Sequence, residues 1–172
     1  MSELSPRARQ IVDAARDLVE RDGPDALTMR ALAARVGVRA PSLYKHLPGK
    51  EELASQVVDV ALAELGRTLD AADGIDAIAH AYRRFALARP HLYRLASTSP
   101  SARDRFELAA APPLLRVLGS ARRARAAWAF LHGMAELELG GFFADDADVA
   151  AAWEVGIDAF RPPSLLVQRR GI

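Results

Sequence analysis

Apolar residues recur every three to four positions along most of this chain, while strand-like alternation is absent and β-branched residues are sparse. The pattern predicts an almost entirely helical protein. A first helix is expected to start at Pro6 behind the cap Ser5. Its inward residues are Ile11, Ala14 or Ala15, and Leu18, and Gly23-Pro24 ends it. A second begins after Thr28, whose hydroxyl can accept a bond from a first-turn amide. Met29, Leu32, Ala33 and Val36 follow at helical spacing, and Gly37 can take the left-handed backbone that a helix stop needs. A third carries Pro41 in its first turn, where a missing amide costs little, with Leu43 and Leu47 inward. A long helix covers about 50–69, with Leu53, Val57, Val60 or Ala61, and Leu65 inward, and Asp73-Gly74 breaks it. Further helices are expected at 75–88, ending before Pro90, and at 91–96, with a loop at 97–101. Two short helical pieces, 103–110 and 113–118, precede two closing helices at 120–143 and 145–160, and Pro162-Pro163 opens a loosely ordered tail.

Residues 27–53 form the most informative stretch. Their order is helix, tight turn, helix and the start of another helix, which is the layout of a helix-turn-helix. With Leu43 and Leu47 inward, Arg39, Ala40, Ser42, Tyr44, Lys45 and His46 face out, where such a helix enters the major groove of DNA. Arg39 and Lys45 can meet phosphates or guanine edges, and neither choice is favoured. Ser42 and His46 can reach bases, though His46 more readily faces a phosphate or packs. Tyr44 could be a partly buried aromatic. In this setting its hydroxyl is assigned to a phosphate. Lys50, after Gly49 at a helix start, joins its ammonium to the helix amides and is assigned the same partner.

At these residues the chain resembles the TetR family of bacterial transcriptional regulators. The family signature appears as Thr28, Arg30, Ala33, Gly37-Val38, Ser42-Leu43-Tyr44, His46, Leu47 and Lys50-Glu51-Glu52-Leu53. It extends back to Arg9–Ala15, which looks like the family's first helix. Two positions depart from it: Arg39 stands where the family usually has a Ser cap, and Leu47 replaces a Phe. The resemblance implies an all-α fold, with an N-terminal helix-turn-helix unit at 1–50 (the motif itself about 27–47). A C-terminal ligand-binding and dimerisation unit would occupy 51–172. The expected DNA-facing set is Thr28, Arg30, Arg39, Ala40, Pro41, Ser42, Tyr44, Lys45, His46 and Lys50.

Charge supports this division modestly. The net charge of the 172 residues is +1, but residues 1–50 hold 9 Lys/Arg against 6 Asp/Glu, while the rest hold 14 against 16. A basic head on a slightly acidic body suits a DNA-binding module joined to a second function. There is no Cys, which excludes disulfides and thiolate metal sites. The start MSELSPRARQ has no apolar core region, so no secretory signal is expected. The apolar run 126–143 contains His132, Glu136 and Glu138, which argues against a membrane helix, and a cytoplasmic protein is expected.

That run is apolar on almost every face, so the helix should be buried on two sides, one of them against a partner chain. Small residues Gly133, Ala135, Gly140 and Gly141 would permit close approach. Trp128–Gly133 also resembles a Trp-x-x-x-His-Gly segment of one group of TetR-like C-terminal units. The resemblance implies a homodimer built from the last two helices, with Gly133, Ala135, Gly140, Trp153 and Ile157 at the interface. It also implies a pocket for an apolar small molecule, with Tyr82, Phe85, Phe106, Trp128, Leu131 and His132 as its expected wall. His132 and Glu136 share a helical face but lack a third metal ligand, and are read as a polar pair or pocket groups. Asp76 and His80, at the same spacing, are read as a cap or ion pair. The expected function is a ligand-responsive regulator, most simply a repressor, acting as a homodimer on palindromic double-stranded DNA, with no cofactor. The rivals are an effector-free DNA-binding protein whose second half only dimerises or binds a protein, and an all-helical enzyme. No nucleophile triad, carboxylate pair, phosphate loop or metal cluster supports the last.

Overall fold

The computed structural model describes residues 4–99 and 103–161, except the side chain of Arg103. The tail from Pro162 and part of the 97–101 loop lie outside the described residues. Among the described residues nine α-helices follow one another: α1 Pro6–Asp22, α2 Met29–Arg35, α3 Ala40–Leu43, α4 Lys50–Asp70, α5 Gly74–Ala88, α6 Pro90–Thr98, α7 Arg103–Leu118, α8 Ala121–Leu139 and α9 Val149–Asp158. A 3-10 turn, Pro24–Ala26, joins α1 to α2.

Two apolar cores organise these helices. The first gathers Ile11, Val12, Ala15, Leu18 and Val19 of α1, Leu32 and Ala33 of α2, and Leu43 and Leu47 around α3. It also takes Leu53 and Val57 from α4 and Leu92 from α6. The second starts at Val58 on the same α4 and fills the space between α4, α5, α6, α7, α8 and α9. The inward residues left open by the pattern are Ala15 and Ala61, both fully buried.

Four expectations about element boundaries change. Helix α6 runs on to Thr98, where a loop is expected from 97: the Thr98 hydroxyl bonds the Arg94 carbonyl at 2.7 Å. Residues 103–118 form one helix, although Pro112 and Pro113 lie inside it. Neither proline can donate a ladder bond. The helix survives because α4 and α8 grip it: Leu114 and Ala110 are fully buried. The carbonyl of Ala109, which Pro113 cannot satisfy, approaches Gly66 of α4, where a Cβ would stand 3.5 Å away. Helix α8 stops at Leu139 rather than 143. Gly141 adopts φ 67°, and the amides of Gly141 and Phe142 return to the carbonyls of Glu138 and Leu137 at 3.2 and 3.0 Å. Finally, α9 begins behind Asp148, whose Oδ1 accepts from the Ala151 amide at 2.9 Å.

The two cores are bolted together at one turn of α6. His91 Nδ1 lies 3.2 and 3.0 Å from the carbonyls of Val19 and Glu20, and the Leu92 amide donates to Glu20 Oε2 at 3.2 Å. Glu64 of α4 binds Arg16 of α1 at 2.7 Å and Arg89 at 2.5 Å. These paired charges hold Glu64 below the usual carboxylate range, against the opposing effect of its partial burial.

Candidate nucleic-acid interface and polar core

The turn between α2 and α3 is built by its own residues. Thr28 Oγ1 accepts from the Ala31 amide at 3.1 Å and caps α2. At the other end Gly37 takes φ 68°. Its amide bonds the Ala34 carbonyl at 3.4 Å, while that of Val38 bonds Ala33 at 3.0 Å. This double return closes the helix and aims the chain into α3. Arg39 occupies the cap position of α3 with an extended backbone and no side-chain cap bond. A guanidinium has no acceptor and cannot cap the amides of α3, so the side chain is left for other partners. The third helix is short: Ala40–Leu43, continued by a turn in which the amides of His46 and Leu47 both reach the Leu43 carbonyl at 2.9 Å. Leu43 and Leu47 are buried as the spacing predicts.

The remaining side chains of this segment point outward. Arg39, Pro41, Ser42, Lys45, His46 and Lys50 are exposed, as is Arg30 on α2, and Ala40 is half-buried. Tyr44 is 53% exposed, so it is not a core aromatic. Among the described residues Arg30, Arg39, Ser42, Tyr44, Lys45, His46 and Lys50 make no side-chain hydrogen bond or ion pair. Arg16, Arg35, Arg83 and Arg89, in contrast, are tied to carboxylates. The Thr28 hydroxyl is already committed to its cap. At Lys50, Gly49 offers α4 no side-chain cap, which leaves first-turn amides for an outside acceptor.

The second candidate site lies in the other core. The hydroxyl of Tyr93 on α6 stands 2.7 Å from His132 Nδ1, that of Tyr82 on α5 stands 3.3 Å from the same nitrogen, and the two hydroxyls are 3.2 Å apart. Phe106 of α7 meets the rings of Tyr82, Tyr93 and His132 edge-on at 6.4, 5.6 and 5.4 Å. Trp128 stacks on His132 with centroids 5.7 Å apart. Burial pushes both tyrosines well above the ordinary phenol range. Burial lowers His132, an effect that the Glu136 charge partly opposes. His132 Nδ1 and the two phenols thus form one hydrogen-bonded cluster, in which the ring's tautomer decides which atom donates.

Of the six expected pocket residues, Tyr82, Phe85, Phe106 and Leu131 lie in the packed interior. Trp128 also edges a groove of about 230 Å³ between α7 and α8. A larger groove of about 660 Å³ runs between α4 and α7, over Leu62, Ala63, Gly66, Leu108 and Ala109, and none of the six lines it. Tyr93 is not singled out by the sequence, because spacing within its own short helix cannot show that its hydroxyl meets His132 on a helix 39 residues further along. Asp76 and His80 do not pair: Asp76 accepts from Arg161 Nε at 2.8 Å, and His80 meets Glu154 at 2.8 Å. Among the described residues no three His, Asp or Glu side chains converge as a metal site, and no helix is long and apolar enough to cross a membrane.

The comparisons with known proteins agree with the geometry. A family described as "Bacterial regulatory proteins, tetR family" matches residues 11–57, and "Tetracyclin repressor-like, C-terminal domain" matches residues 75–160. An uncharacterised HTH-type transcriptional regulator of Mycobacterium tuberculosis is 33% identical over 165 residues, covering 83% of this chain and 74% of its own. The chain belongs to the TetR family. It is a DNA-binding transcriptional regulator, and proteins of this type are not enzymes. Among solved structures, a protein of unknown function from Rhodococcus sp. RHA1 is 25% identical, with a TM-score of 0.74 over 92% of this chain and 95% of its own. A single-substitution variant of TetR from Acinetobacter baumannii AYE, in complex with minocycline, shares the fold at 23% identity, with a TM-score of 0.65 over 92% and 94% of the two chains.

In this TetR-family regulator the last two helices each have an inner and an outer face. Ala124, Ala127, Leu131 and Ala135 of α8, and Trp153 and Ile157 of α9, are buried within the one chain. Ala135, Trp153 and Ile157 are therefore interior residues, not the surface ones expected. Periodicity reveals that α8 has two apolar sides without telling which faces home. The outer face carries Ala126, Ala129 and Leu137, exposed, with Gly133 between them and open space where its Cβ would be. On α9, Ala151, Ala152 and Val155 are also exposed, Val155 at 72%. Gly140 is exposed, and a Cβ there would strike the Phe142 ring at 2.5 Å, so it serves the helix end. Gly156 admits the Phe130 ring, which would stand 2.1 Å from a Cβ and is held between Trp153 and Phe160. Beside it Glu138 accepts from Arg83 Nη2 at 2.6 Å and Trp153 Nε1 at 2.9 Å, which together lower its pKa despite its partial burial.

Proposed function

We propose that this regulator is a homodimeric, ligand-responsive repressor that acts in the cytoplasm on a palindromic operator. Residues 1–50 would read DNA, and the rest of the chain would bind a small apolar effector and hold the dimer. The observation that carries this reading is the row of uncommitted polar side chains from Arg39 to Lys50, held open beside a fixed turn. Phosphates are met by Tyr44 and Lys50. Arg39, Ser42, Lys45 and His46 face the groove, with Ala40 and Pro41 against its wall and Arg30 at its edge. One recognition helix this short contacts few bases, which favours a two-fold dimer whose outer α8 and α9 faces supply the uncovered apolar surface. Two such helices suit successive major grooves about 34–36 Å apart. An effector bound more tightly by the DNA-incompetent spacing would release the operator. The same fold holds minocycline in the Acinetobacter baumannii protein.

The experiment is selection of bound DNA from a random pool, repeated with a metabolite panel. Lys50→Ala should weaken all sequences alike and reduce the salt slope by about one unit. Ser42→Ala should change sequence preference. Unchanged affinity and salt dependence in Lys50→Ala would remove α4 from the DNA backbone. If operator affinity responds to no metabolite, the second half serves only for dimerisation.

A further inference from the structure

The groove between α4 and α7 has a volume of about 660 Å³, within the ~300–1,000 Å³ usual for small-molecule sites. Leu62, Ala63 and Gly66 line it from α4, and Leu108, Ala109 and Pro112 from α7, so its walls are largely apolar. Its charged side chains balance: Asp59 and Asp70 are opposed by Arg67 and Arg105. Asp59 is paired with Arg105, and Asp70 lies 3.7 Å from Arg116. A charged ligand would have to leave water for an apolar surface that offers it no net opposite charge.

One polar atom in these walls has no partner in its own helix turn. A helix carbonyl is met by the amide four residues on, or three residues on in a tightened turn. For Ala109 those residues are Pro113 and Pro112, and neither has an N–H. The carbonyl approaches Gly66 instead, where a Cβ would stand 3.5 Å from its oxygen. Gly66 has no side chain to cover it. In an open groove such an acceptor is met by water. A molecule that fills the groove expels that water, and must bring a donor of its own or leave the oxygen stripped. A hydrocarbon or an ether brings none. A hydroxyl brings one without the desolvation cost of a charge.

We propose that the α4–α7 groove is a receptor for an uncharged, largely apolar molecule with a hydroxyl donor, a phenol or an alcohol, whose O–H bonds the Ala109 carbonyl beside Gly66. The inference rests on the reading that the C-terminal half binds an effector. It gives that effector a chemical class and a place outside the packed aromatic core.

The probes are 2-naphthol and its methyl ether, which share one body and differ by a single donor. Equilibrium dialysis against the full chain at neutral pH should show the naphthol bound about 10- to 100-fold more tightly, the effect of stripping one acceptor. Gly66→Ala sets a methyl 3.5–3.9 Å from Ala109, an ordinary contact, and replaces a helix glycine, so this variant should melt no lower than the wild type. It should bring the naphthol to the ether's level. If it fails to fold, Leu108→Glu, at a position 68% exposed, charges the groove wall and should weaken both probes together. Equal binding of naphthol and ether, no naphthol binding at millimolar concentration, tighter binding of 2-naphthoate, or a donor preference that survives in Gly66→Ala would each overturn the proposal. A change of oligomeric state in Gly66→Ala would make the groove a seat for a second copy and overturn it too. Operator affinity, followed separately by fluorescence anisotropy, keeps the two readings apart. Gly66-dependent naphthol binding that leaves operator affinity unchanged would uphold the receptor and remove the ligand response.

Discussion

Removing one oxygen from the polar core should have unequal effects depending on which tyrosine loses it. Tyr93→Phe deletes the hydroxyl 2.7 Å from His132 Nδ1. Tyr82→Phe deletes one that lies 3.3 Å from that nitrogen and 3.2 Å from Tyr93. Both substitutions keep the ring, so the edge-on contacts with Phe106 persist and no cavity of ring size forms. In Tyr93→Phe His132 Nδ1 loses its short bond and retains only the distant Tyr82 hydroxyl. A buried acceptor left nearly unmet costs about 1–3 kcal/mol. In Tyr82→Phe the Tyr93–His132 bond remains, and the loss is nearer the ~0.5–1 kcal/mol of an ordinary net hydrogen bond. For a chain of this size each kcal/mol lowers the melting temperature by about 2–4 °C. Urea denaturation at one fixed protein concentration should therefore rank wild type above Tyr82→Phe and Tyr82→Phe above Tyr93→Phe, with unchanged slopes. The double variant should cost less than the sum if the hydroxyls share the histidine. A Tyr82→Phe loss equal to or larger than that of Tyr93→Phe would refute the assignment of Tyr93 as the main hydrogen-bond partner of His132.

Further outcomes follow from other contacts. Because His132 has a folded pKa below its ordinary value of 6.5, the unfolded chain takes up its proton first. Stability from this group is complete above about 6.5 and lost as pH falls through the lower folded value, so denaturation midpoints should start to drop as pH falls below 6.5, less in His132→Gln. Glu138, also lowered, retains its contribution until pH falls below 4.5. Gly156→Ala places a Cβ on the Phe130 ring. The ~1 kcal/mol gained by removing a helix glycine should be outweighed by the ~1–3 kcal/mol of overpacking, giving a net loss in calorimetry. Ala129→Arg, on the outer face of α8, should leave each chain folded by circular dichroism and yield monomers in light scattering. A folded dimer in that variant would move the association surface elsewhere.

Where local chemistry decides, the chain is legible. Thr28 and Gly37 delimit α2 because one hydroxyl and one left-handed backbone suffice, and the inward leucines of α3 follow directly. What packing decides is not. Pro112-Pro113 reads as a break, yet α7 runs through it because α4 and α8 enclose the helix. Gly140-Gly141 reads as a site of close approach, whereas it ends α8 through returning amides. Ala135, Trp153 and Ile157 read as association residues, because a two-sided apolar pattern carries no sign of which side meets the rest of the same chain. The polar core is half visible. Trp128, His132 and Glu136 show their shared face in their spacing, but Tyr82 and Tyr93 come from two other helices, and only folding brings their hydroxyls to one nitrogen.

The first turn of α6 also bears on how such proteins are taken apart and recombined. His91 seats on the last carbonyls of α1, Leu92 enters the core shared by α1, α2, α3 and α4, Tyr93 turns to His132, and Arg94 reaches the end of α8. A fragment cut after residue 50 would lose Leu53, Val57 and Leu92, three side chains of the core it depends on. A hybrid that grafts this reading head onto another sensor would have to carry Leu92 and its anchoring histidine with it, or find substitutes in the recipient. The boundary useful to an engineer is thus a three-dimensional surface rather than a position in the chain, and sensors with matching residues at the start of their sixth helix are the natural recipients.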